Sequence, residues 1–158
     1  MIHLNPDHYL QTSTGRVFTP ERNAAAWEQL YADLDAALQC RTMGENLFVV
    51  MGVQGSGKST WVRKNRARLG GNAIFVDAVL PGARHRLRIL AVAKAASTPV
   101  TAIWINTRLE TALSRNGMRP SDEQIPEDII KHVFSNFEPP ALDEGFSEIY
   151  TISEADFD

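Results

Sequence analysis

The sequence predicts a three-layer α/β fold, in which a short, mostly parallel sheet of about four strands is flanked by helices. Continuous apolar runs such as Leu47–Met51 are typical of strands that are buried on both faces. Segments with apolar residues at helical spacing alternate with these runs, and this order requires right-handed crossovers between parallel strands. A length of 158 residues suits one domain. We therefore expect a single domain over residues 1–158, with an N-terminal extension and helix (1–46) before a core (47–152).

Composition excludes several classes of protein. The chain is 44% hydrophobic and 22% charged, which is typical of a globular protein and not of a disordered one. Its single cysteine, Cys40, excludes an intramolecular disulfide and a zinc site made of several thiolates. The longest apolar run is too short to span a bilayer, and the first residues lack the basic and apolar regions of a secretory signal. We expect a soluble, cytoplasmic protein that has no membrane partner.

The first helix is predicted over residues 20–39. Residues 1–18 show no clear period and are expected to be coil that could include a short strand. Thr19 and Pro20 form a helix start, with a hydroxyl N-cap followed by proline at the first helical position. The helix predicted over residues 20–39 has apolar residues at helical spacing on one face, which we interpret as packing surface: Trp27, Leu30, Tyr31, Leu34 and Leu38. A turn is expected after it, over residues 41–46.

The remaining elements alternate between strand and helix. Thr107 and Glu110 match a capping box at the start of one helix, with the hydroxyl at the N-cap. The strands that end at Met51 and Asp77 are expected to lie side by side. In chain order we predict a strand over 47–51, a helix from 58 to about 69, a strand over 73–77, a helix over about 84–95, a strand over 100–105, a helix over 108–116, a loop over 117–124, a helix from 126 that ends at Pro139, and a strand over 149–152.

Between the first buried strand and the next helix, Gly52–Ser59 matches the pattern G-x-x-x-x-G-K-[ST]. A strand-to-helix junction is where a phosphate-binding loop (P-loop) must lie, because backbone N–H groups at a helix N-terminus bind anions. Lys58 is placed for the β- and γ-phosphates, and the hydroxyl of Ser59 for Mg²⁺. The pattern predicts a site for ATP or GTP with Mg²⁺. The residues expected at the nucleotide are Gly52, Gln54, Gly55, Ser56, Gly57, Lys58, Ser59 and Thr60.

A candidate lid over the nucleotide contains Arg115 and Arg119. Two arginines four residues apart at a helix end can share one face, and Gly117 and Pro120 bound a segment that could hinge. Their guanidinium groups could clamp phosphates and spread charge in the transition state, or they could form a solvated helix terminus. The sequence lacks the Asn-Lys-x-Asp motif that reads guanine, and the chain is small for a motor. Small P-loop proteins with a mobile basic lid are mostly kinases, because phosphoryl transfer must exclude water.

Asp77 is a further catalytic candidate, because an acid at the carboxyl end of a buried parallel strand points into the ligand crevice. Two roles are open for this side chain. It could hold Mg²⁺, directly or through water, or it could orient and deprotonate the hydroxyl group of an acceptor. Arg84 and Arg86 begin the following helix, where they could bind a phosphate group of the acceptor or form a solvated face.

Charge is distributed unevenly along the chain. Residues 58–119 contain twelve basic and two acidic residues, a net charge of +10. Residues 120–158 contain one basic and eleven acidic residues, a net charge of −10. This pattern fits either a site for a polyanionic ligand or helix faces with internal charge balance.

These segments resemble the P-loop kinases typified by polynucleotide 5′-hydroxyl kinases and zeta-toxin-like kinases. The resemblance implies that Lys58 and Ser59 contact the phosphates and Mg²⁺, and that the candidate lid supplies two arginines. It covers about residues 47–152. The segments that carry it are Gly52–Thr60, Phe75–Asp77, Ala102–Glu110, Arg115–Arg119, Ile125–Asp128, Phe137–Pro140 and Glu144–Phe146.

The chain departs from that family in its acceptor elements. Family members usually carry an acid-Arg element on one strand and a further Asp before the helix that leads to the lid. This chain has only one such segment, so one strand–helix unit is missing and the chain is a minimal version. A D-x-x-R acceptor motif is absent because Leu80 occupies the arginine position after Asp77. Asp77 therefore performs both acidic roles or only one.

The expected function is ATP- and Mg²⁺-dependent transfer of the γ-phosphate to a hydroxyl group. A nucleic-acid 5′-hydroxyl or a nucleotide is the preferred acceptor, because of the basic stretch. One alternative is a small-molecule kinase that acts on a metabolite, sugar or antibiotic. Another is a nucleotide-gated binding module with slow ATPase activity.

Overall fold

The architecture is built on a parallel sheet. The computed structural model of the chain describes residues 1–40 and 46–157, so most of the turn expected over residues 41–46 lies outside the described residues. Within them the strands are β1 (Ile2–Leu4), β2 (Gln11–Thr12), β3 (Gly15–Arg16), β4 (Leu47–Met51), β5 (Ile74–Asp77), β6 (Val100–Ile105) and β7 (Glu148–Ile152). The helices are α1 (Pro20–Gln39), α2 (Lys58–Asn65), α3 (Ala83–Ala95), α4 (Leu109–Gly117) and α5 (Glu127–Ser135).

The main sheet has the strand order β1-β5-β4-β6-β7, and its four pairings are all parallel. The predicted α/β class with helices flanking a parallel sheet is therefore confirmed. The expected neighbours β4 and β5 do pair, with Val50 opposite Asp77. β6 lies on the other side of β4, with Met51 opposite Trp104. The carboxyl ends of the three central strands consequently meet at one edge of the sheet.

The N-terminal segment contains the short strand that the prediction allowed, but its place in the main sheet was not predicted. β1 joins the main sheet as a fifth strand, with His3 opposite Phe75 and Leu4 opposite Val76. A 3₁₀ helix (Pro6–Leu10) and a small antiparallel hairpin, β2–β3, follow it. Three residues are too few to show an alternating pattern, so this edge strand has no periodic signal in the sequence. Its consequence is that the residues after β1 reach the same edge of the sheet as Asp77.

Helices cover both faces of the sheet. On β4, Val49 and Met51 belong to a core cluster that also contains Leu30 and Leu34 of α1. Val50, from the same strand, belongs to the opposite cluster, which contains residues of α2. This alternation explains why the strand is continuously apolar, because both of its faces are buried. No helix among the described residues has the length and apolar character needed to cross a membrane.

Side-chain hydrogen bonds accompany the start of α1 and the end of α2. α1 begins as predicted, because the Thr19 hydroxyl accepts a hydrogen bond from the backbone N–H of Arg22 (3.1 Å). α2 ends at Asn65, several residues before the predicted end near 69. The Asn65 side-chain amide donates to the carbonyl oxygen of Trp61 (2.9 Å). This local bond offers the backbone an alternative to helix and favours the turn that follows.

Candidate functional site

A cleft of about 630 Å³ lies at the edge of the sheet where β1, β4 and β5 end. Each of these strands delivers residues to it, including Asn5 after β1, Gln54 after β4 and Asp77 at the end of β5. The residues of α1 that face it include Trp27. Ligands of open parallel sheets bind at this edge, outside the carboxyl ends of the strands. The cleft is therefore the candidate functional site.

The glycine-rich loop between β4 and α2 forms one wall of the cleft. Gly57, the residue before α2, has a left-handed backbone (φ 101°) that favours glycine. Gly55 also has a positive φ (79°), and a Cβ atom there would collide with the backbone of Ala112 in α4. The loop is thus packed closely against the helix behind it. The first-turn N–H groups of α2, which include those of Ser59 and Thr60, have no acceptor within the helix and are available to an anion.

Lys58 bridges the two ends of this loop. Its ammonium group donates hydrogen bonds to the carbonyl oxygens of Gly52 and Val53, both at 3.0 Å. An ammonium group has three N–H donors, so one remains for a ligand in the cleft. Burial lowers the pKa of Lys58 from its ordinary value, while the nearby charge of Asp77 opposes that shift. The side chain is accordingly held at the cleft wall by its own loop.

Asp77 is fully buried and its two carboxylate oxygens are used differently. Oδ2 accepts hydrogen bonds from the Ser59 hydroxyl (2.6 Å) and the Asn5 amide (3.3 Å), and it lies 3.1 Å from His3 Nε2. Oδ1 is buried and has no hydrogen-bond partner among the described residues. Burial alone would raise the pKa of Asp77, but the contact with His3, the charge of Lys58 and the Ser59 bond lower it below its usual value. Asp77 is therefore an ionised carboxylate with one free oxygen.

Sequence reasoning missed the residues that hold Asp77 from the N-terminal side. His3 lies in β1, and Asn5 caps the 3₁₀ helix that follows, where its side-chain oxygen accepts from the backbone N–H of Asp7 (2.9 Å). The Asx-type cap at Asn5, followed by Pro6, was a visible helix-start signal. Nothing in the sequence indicated that this cap would lie beside Asp77, because the contact depends on the pairing of β1 with β5.

We expect Asp77 to make the stability of the folded chain depend on pH in acid. Its pKa is lower in the folded chain than in the unfolded chain, so the stabilising contribution is complete above the unfolded pKa of about 3.9. The contribution is lost as the pH falls through the lower, folded pKa. Urea unfolding of the wild type and Asp77→Asn between pH 6 and pH 3 should give a free-energy difference that shrinks below about pH 4. A difference that stays constant over this range would contradict the lowered pKa.

The two arginines of the candidate lid lie in different surroundings, and only one of them lines the cleft. Arg119 lines the cleft, and its guanidinium group has no hydrogen-bond partner among the described residues. Arg115 instead donates to the carbonyl oxygen of Ser56 in the glycine-rich loop (2.9 Å). The Thr107 hydroxyl donates to the same oxygen (2.9 Å). Arg115 and Thr107 thus hold the loop in place through this carbonyl oxygen.

The predicted capping box at the start of α4 is wrong. The helix begins after Arg108, and the hydroxyl of Thr107 donates to the glycine-rich loop and does not cap the helix.

The two arginines assigned to an acceptor phosphate also separate. Arg84 is exposed and lines the cleft. The assignment of Arg86 is corrected, because its side chain is fully buried and does not reach the cleft. Its guanidinium group donates to the carbonyl oxygen of Glu138 through two nitrogens (3.0 Å each) and forms an ion pair with Glu144 (2.8 Å). Arg86 therefore fastens α3 to the segment before β7.

Arg86→Ala is expected to lower the free energy of unfolding by about 3 kcal/mol or more, because it leaves Glu144 without its buried partner. Arg84→Ala is the matched control, since Arg84 lies two residues away and is exposed. It should change stability by less than about 0.5 kcal/mol. Chemical unfolding of the three proteins checks this. Equal effects of the two substitutions would refute the buried role of Arg86.

The donor set beside the glycine-rich loop fits a magnesium ion that binds together with a polyphosphate. The Ser59 hydroxyl and the Asp77 carboxylate supply two neighbouring oxygen donors, and Oδ1 of Asp77 is free. Mg²⁺ usually takes one or two protein oxygens and completes its octahedron with water and phosphate oxygens. Residues 1–40 and 46–157 contain no cluster of three or more His, Cys, Asp or Glu residues that would hold a metal alone.

Some of the basic residues in the basic stretch, residues 58–119, form ion pairs within the protein. Three of its arginines are paired with carboxylates from distant parts of the chain. Arg86 pairs with Glu144, Arg88 with Glu28 and Arg108 with Glu154. Arg108 also holds the pKa of Glu154 at about 2. Two of these carboxylates come from the acidic segment 120–158, so the opposite charges partly neutralise each other.

The fold and the cleft together define a three-layer α/β protein with a glycine-rich loop, a lysine and a buried aspartate at the carboxyl edge of its sheet. No protein-family model and no curated protein sequence matches the chain. Solved structures do resemble it. One is a chain of the AvrRxo1-ORF1:AvrRxo1-ORF2 crystal structure with sulphate ions, at 15% sequence identity and a TM-score of 0.52. The native AvrRxo1-ORF1:-ORF2 complex gives the same values.

These alignments cover 75% of this chain and 57% of the matched chains, so this chain spans somewhat more than half the length of its structural neighbours. At this level of identity the likeness concerns the fold. It agrees with the α/β architecture described above.

Proposed function

We propose that the chain is a P-loop phosphotransferase that moves the γ-phosphate of ATP, with Mg²⁺, to a hydroxyl group of an acceptor. One observation carries the proposal. Lys58, with one free N–H, and the Asp77–Ser59 pair, with one free carboxylate oxygen, lie in the same cleft beside a glycine-rich loop. A phosphoryl-transfer site needs cationic donors for the phosphates, oxygen ligands for the metal and an acceptor for a hydroxyl proton.

The nucleotide phosphates would lie on the loop and the first turn of α2. Backbone N–H groups there point toward an anion, and the helix dipole favours negative charge. Lys58 adds a cation, and the unpaired guanidinium group of Arg119 adds a second one from the lid segment. Arg115 and Thr107 keep the loop in shape through the Ser56 carbonyl oxygen. Catalysis then consists of positioning and charge stabilisation, which is what a loose phosphoryl-transfer transition state requires.

Ser59 and Asp77 are the residues that would hold Mg²⁺. When bound with the nucleotide, the metal supplies neutralisation of the charge on the phosphate oxygens. The Ser59 hydroxyl donates to Asp77 Oδ2, which fixes both groups in one orientation. His3 and Asn5 hold the same carboxylate from the opposite side, so Asp77 cannot rotate freely.

The lowered pKa of Asp77 bears on its second role. A carboxylate with a low pKa is a weak base, so it would orient an acceptor hydroxyl by accepting its hydrogen bond and would not remove the proton early. The hydroxyl oxygen then forms a bond to the γ-phosphorus while the bond to the β–γ bridging oxygen breaks. ADP leaves with that oxygen, and the hydroxyl proton passes through the Asp77 carboxylate to water.

A transfer assay with γ-labelled ATP tests the proposal. The protein is incubated with Mg²⁺ and three separate pools: 5′-hydroxyl oligonucleotides, nucleosides with nucleotides, and a mixture of metabolites. Label on an acceptor, abolished by EDTA, would support the proposal. ATP binding measured in parallel separates the alternatives, because binding with slow release of free phosphate and no labelled acceptor would favour a nucleotide-gated module. Failure to bind ATP would overturn the proposal.

A further inference from the structure

Part of the lining of the cleft comes from the N-terminal part of the chain. Asn23, Trp27 and Tyr31 line it from α1, where their spacing of four residues places them along one face of the helix. Asn5 and Asp7 line it from the segment after β1. None of these residues belongs to the strand, loop and helix that form the phosphate side. We call these lining residues the N-terminal compartment of the cleft; they add aromatic and amide groups to the cleft that Asp77 also lines.

The aromatic pair in this compartment is fixed in place. The ring centroids of Trp27 and Tyr31 are 5.6 Å apart, and both side chains are half-buried against the core. The guanidinium group of Arg88 lies 4.1 Å from the centre of the Tyr31 ring, and Glu28 binds this guanidinium group through both carboxylate oxygens. Because Arg88 covers one face of Tyr31, Trp27 is the ring of the pair that is left to stack on a ligand. A rigid aromatic side chain binds the face of a flat ring with little loss of side-chain freedom.

Polar groups around the aromatic pair are available to a ligand. Among the described residues, the side-chain amide of Asn23, the indole N–H of Trp27 and the hydroxyl of Tyr31 have no hydrogen-bond partner. An amide both donates and accepts, which matches the edge of a nucleobase. Arg84 is exposed at the same cleft and is also unpaired within the described residues, so it can meet an anionic group.

The dimensions and charges favour a small ligand over a nucleic-acid strand. The cleft volume of about 630 Å³ lies in the range of small-molecule sites. A strand would need a basic groove along its backbone, but Arg86, Arg88 and Arg108 of the basic stretch are occupied by carboxylates.

We propose that this compartment binds the acceptor, and that the acceptor is a nucleoside or mononucleotide. The base lies against Trp27, beside Tyr31, with its edge at Asn23; a sugar hydroxyl is oriented by the Asp77 carboxylate, and an acceptor phosphate, where present, meets Arg84. This inference rests on the proposed phosphotransferase function and specifies its substrate class. In this transfer the sugar oxygen bonds to the γ-phosphorus while the bond to the β–γ bridging oxygen breaks, ADP leaves with that oxygen, and the hydroxyl proton passes to water.

The test uses the full chain with γ-labelled ATP and defined acceptors. These are the four ribonucleosides and their 5′-monophosphates, a 5′-hydroxyl DNA oligonucleotide, glucose and glycerol. We expect label on at least one nucleoside or mononucleotide. Label only on the oligonucleotide, the sugar or glycerol would overturn the inference, and so would ATP binding without any labelled nucleoside or mononucleotide. Failure to bind ATP is a different result, because it removes the proposed function itself.

Variants of Trp27 provide the second arm. Trp27→Leu should raise the KM for the nucleoside or mononucleotide that accepts the label about 10-fold or more, and it should change kcat less. This is the size of effect that stacking of a base on an aromatic side chain produces. Trp27→Phe should restore most of the loss, because it keeps the ring. Trp104→Phe is the control, since Trp104 packs against Phe137 away from this compartment. An unchanged KM in Trp27→Leu would overturn the placement of the base.

Discussion

Asp77→Asn is expected to reduce phosphoryl transfer at least about 100-fold. General acid–base groups contribute roughly 10²- to 10⁴-fold, and this substitution removes the negative charge that, in the proposed mechanism, would serve both a metal and an acceptor hydroxyl. Asparagine keeps the shape of the side chain. It presents one uncharged oxygen, so it cannot both accept from Ser59 and supply the second, negatively charged oxygen that the carboxylate has. Single-turnover transfer of labelled phosphate measures the effect.

The result must be separated from a loss of folding, because Asp77 is buried and also contacts His3 and Asn5. Circular dichroism and the Tm of the variant show whether the sheet is intact. Asp128→Asn is the matched control, since Asp128 is exposed on α5 and should have no effect on turnover. A folded Asp77→Asn protein whose rate falls less than threefold would assign Asp77 to structure and remove it from the mechanism.

The central sheet and the glycine-rich loop that lines the cleft are predictable because their signals are local. Buried strands are continuous apolar runs, and the glycine-rich loop must follow one of them directly. Helix α1 is bounded by a threonine cap that forms its expected hydrogen bond. Each of these features depends on residues that are close together in the sequence, so local patterns are enough to predict it.

The N-terminal side of the site is not predictable in this way. His3 and Asn5 reach Asp77 only because a three-residue strand pairs with β5, more than 70 residues later in the chain. Trp27 and Tyr31 contact the core and also line the cleft, so their helical spacing correctly indicated packing but could not reveal the second contact. Such contacts depend on tertiary placement, which the periodicity of one helix does not specify.

The predictions for two buried polar residues, Arg86 and Thr107, were also wrong. Arg86 and Thr107 sit at helix starts, where charged and hydroxyl side chains are usually exposed or capping. In this fold both are turned inward to satisfy carbonyl oxygens, of Glu138 and Ser56 respectively. A buried carbonyl needs a donor, and the donor is recruited from whichever chain segment passes nearby. The residue type and its position at a helix start do not show whether such a side chain is buried against a carbonyl oxygen or exposed to solvent.

Lys58→Ala is expected to abolish detectable transfer while the fold is retained. Removing one preorganised donor at a developing charge typically costs about 10²- to 10³-fold in rate, and here the donor also carries the main positive charge of the loop. The substitution leaves the carbonyl oxygens of Gly52 and Val53 without their partner. Burial lowers the pKa of Lys58, so the protonated side chain is itself unfavourable in the folded chain. These two effects on stability oppose each other.

We therefore expect the Tm of Lys58→Ala to stay within a few degrees of the wild type, or to rise, while ATP binding and transfer are lost. Functional groups held at a cost in stability show this opposition between stability and activity. Lys94→Ala is the control, because Lys94 is exposed on α3 and has no side-chain partner among the described residues. Binding of a fluorescent ATP analogue and labelled transfer are measured for all three proteins. Normal turnover of Lys58→Ala would show that the glycine-rich loop does not handle the phosphates, whatever its resemblance to a P-loop.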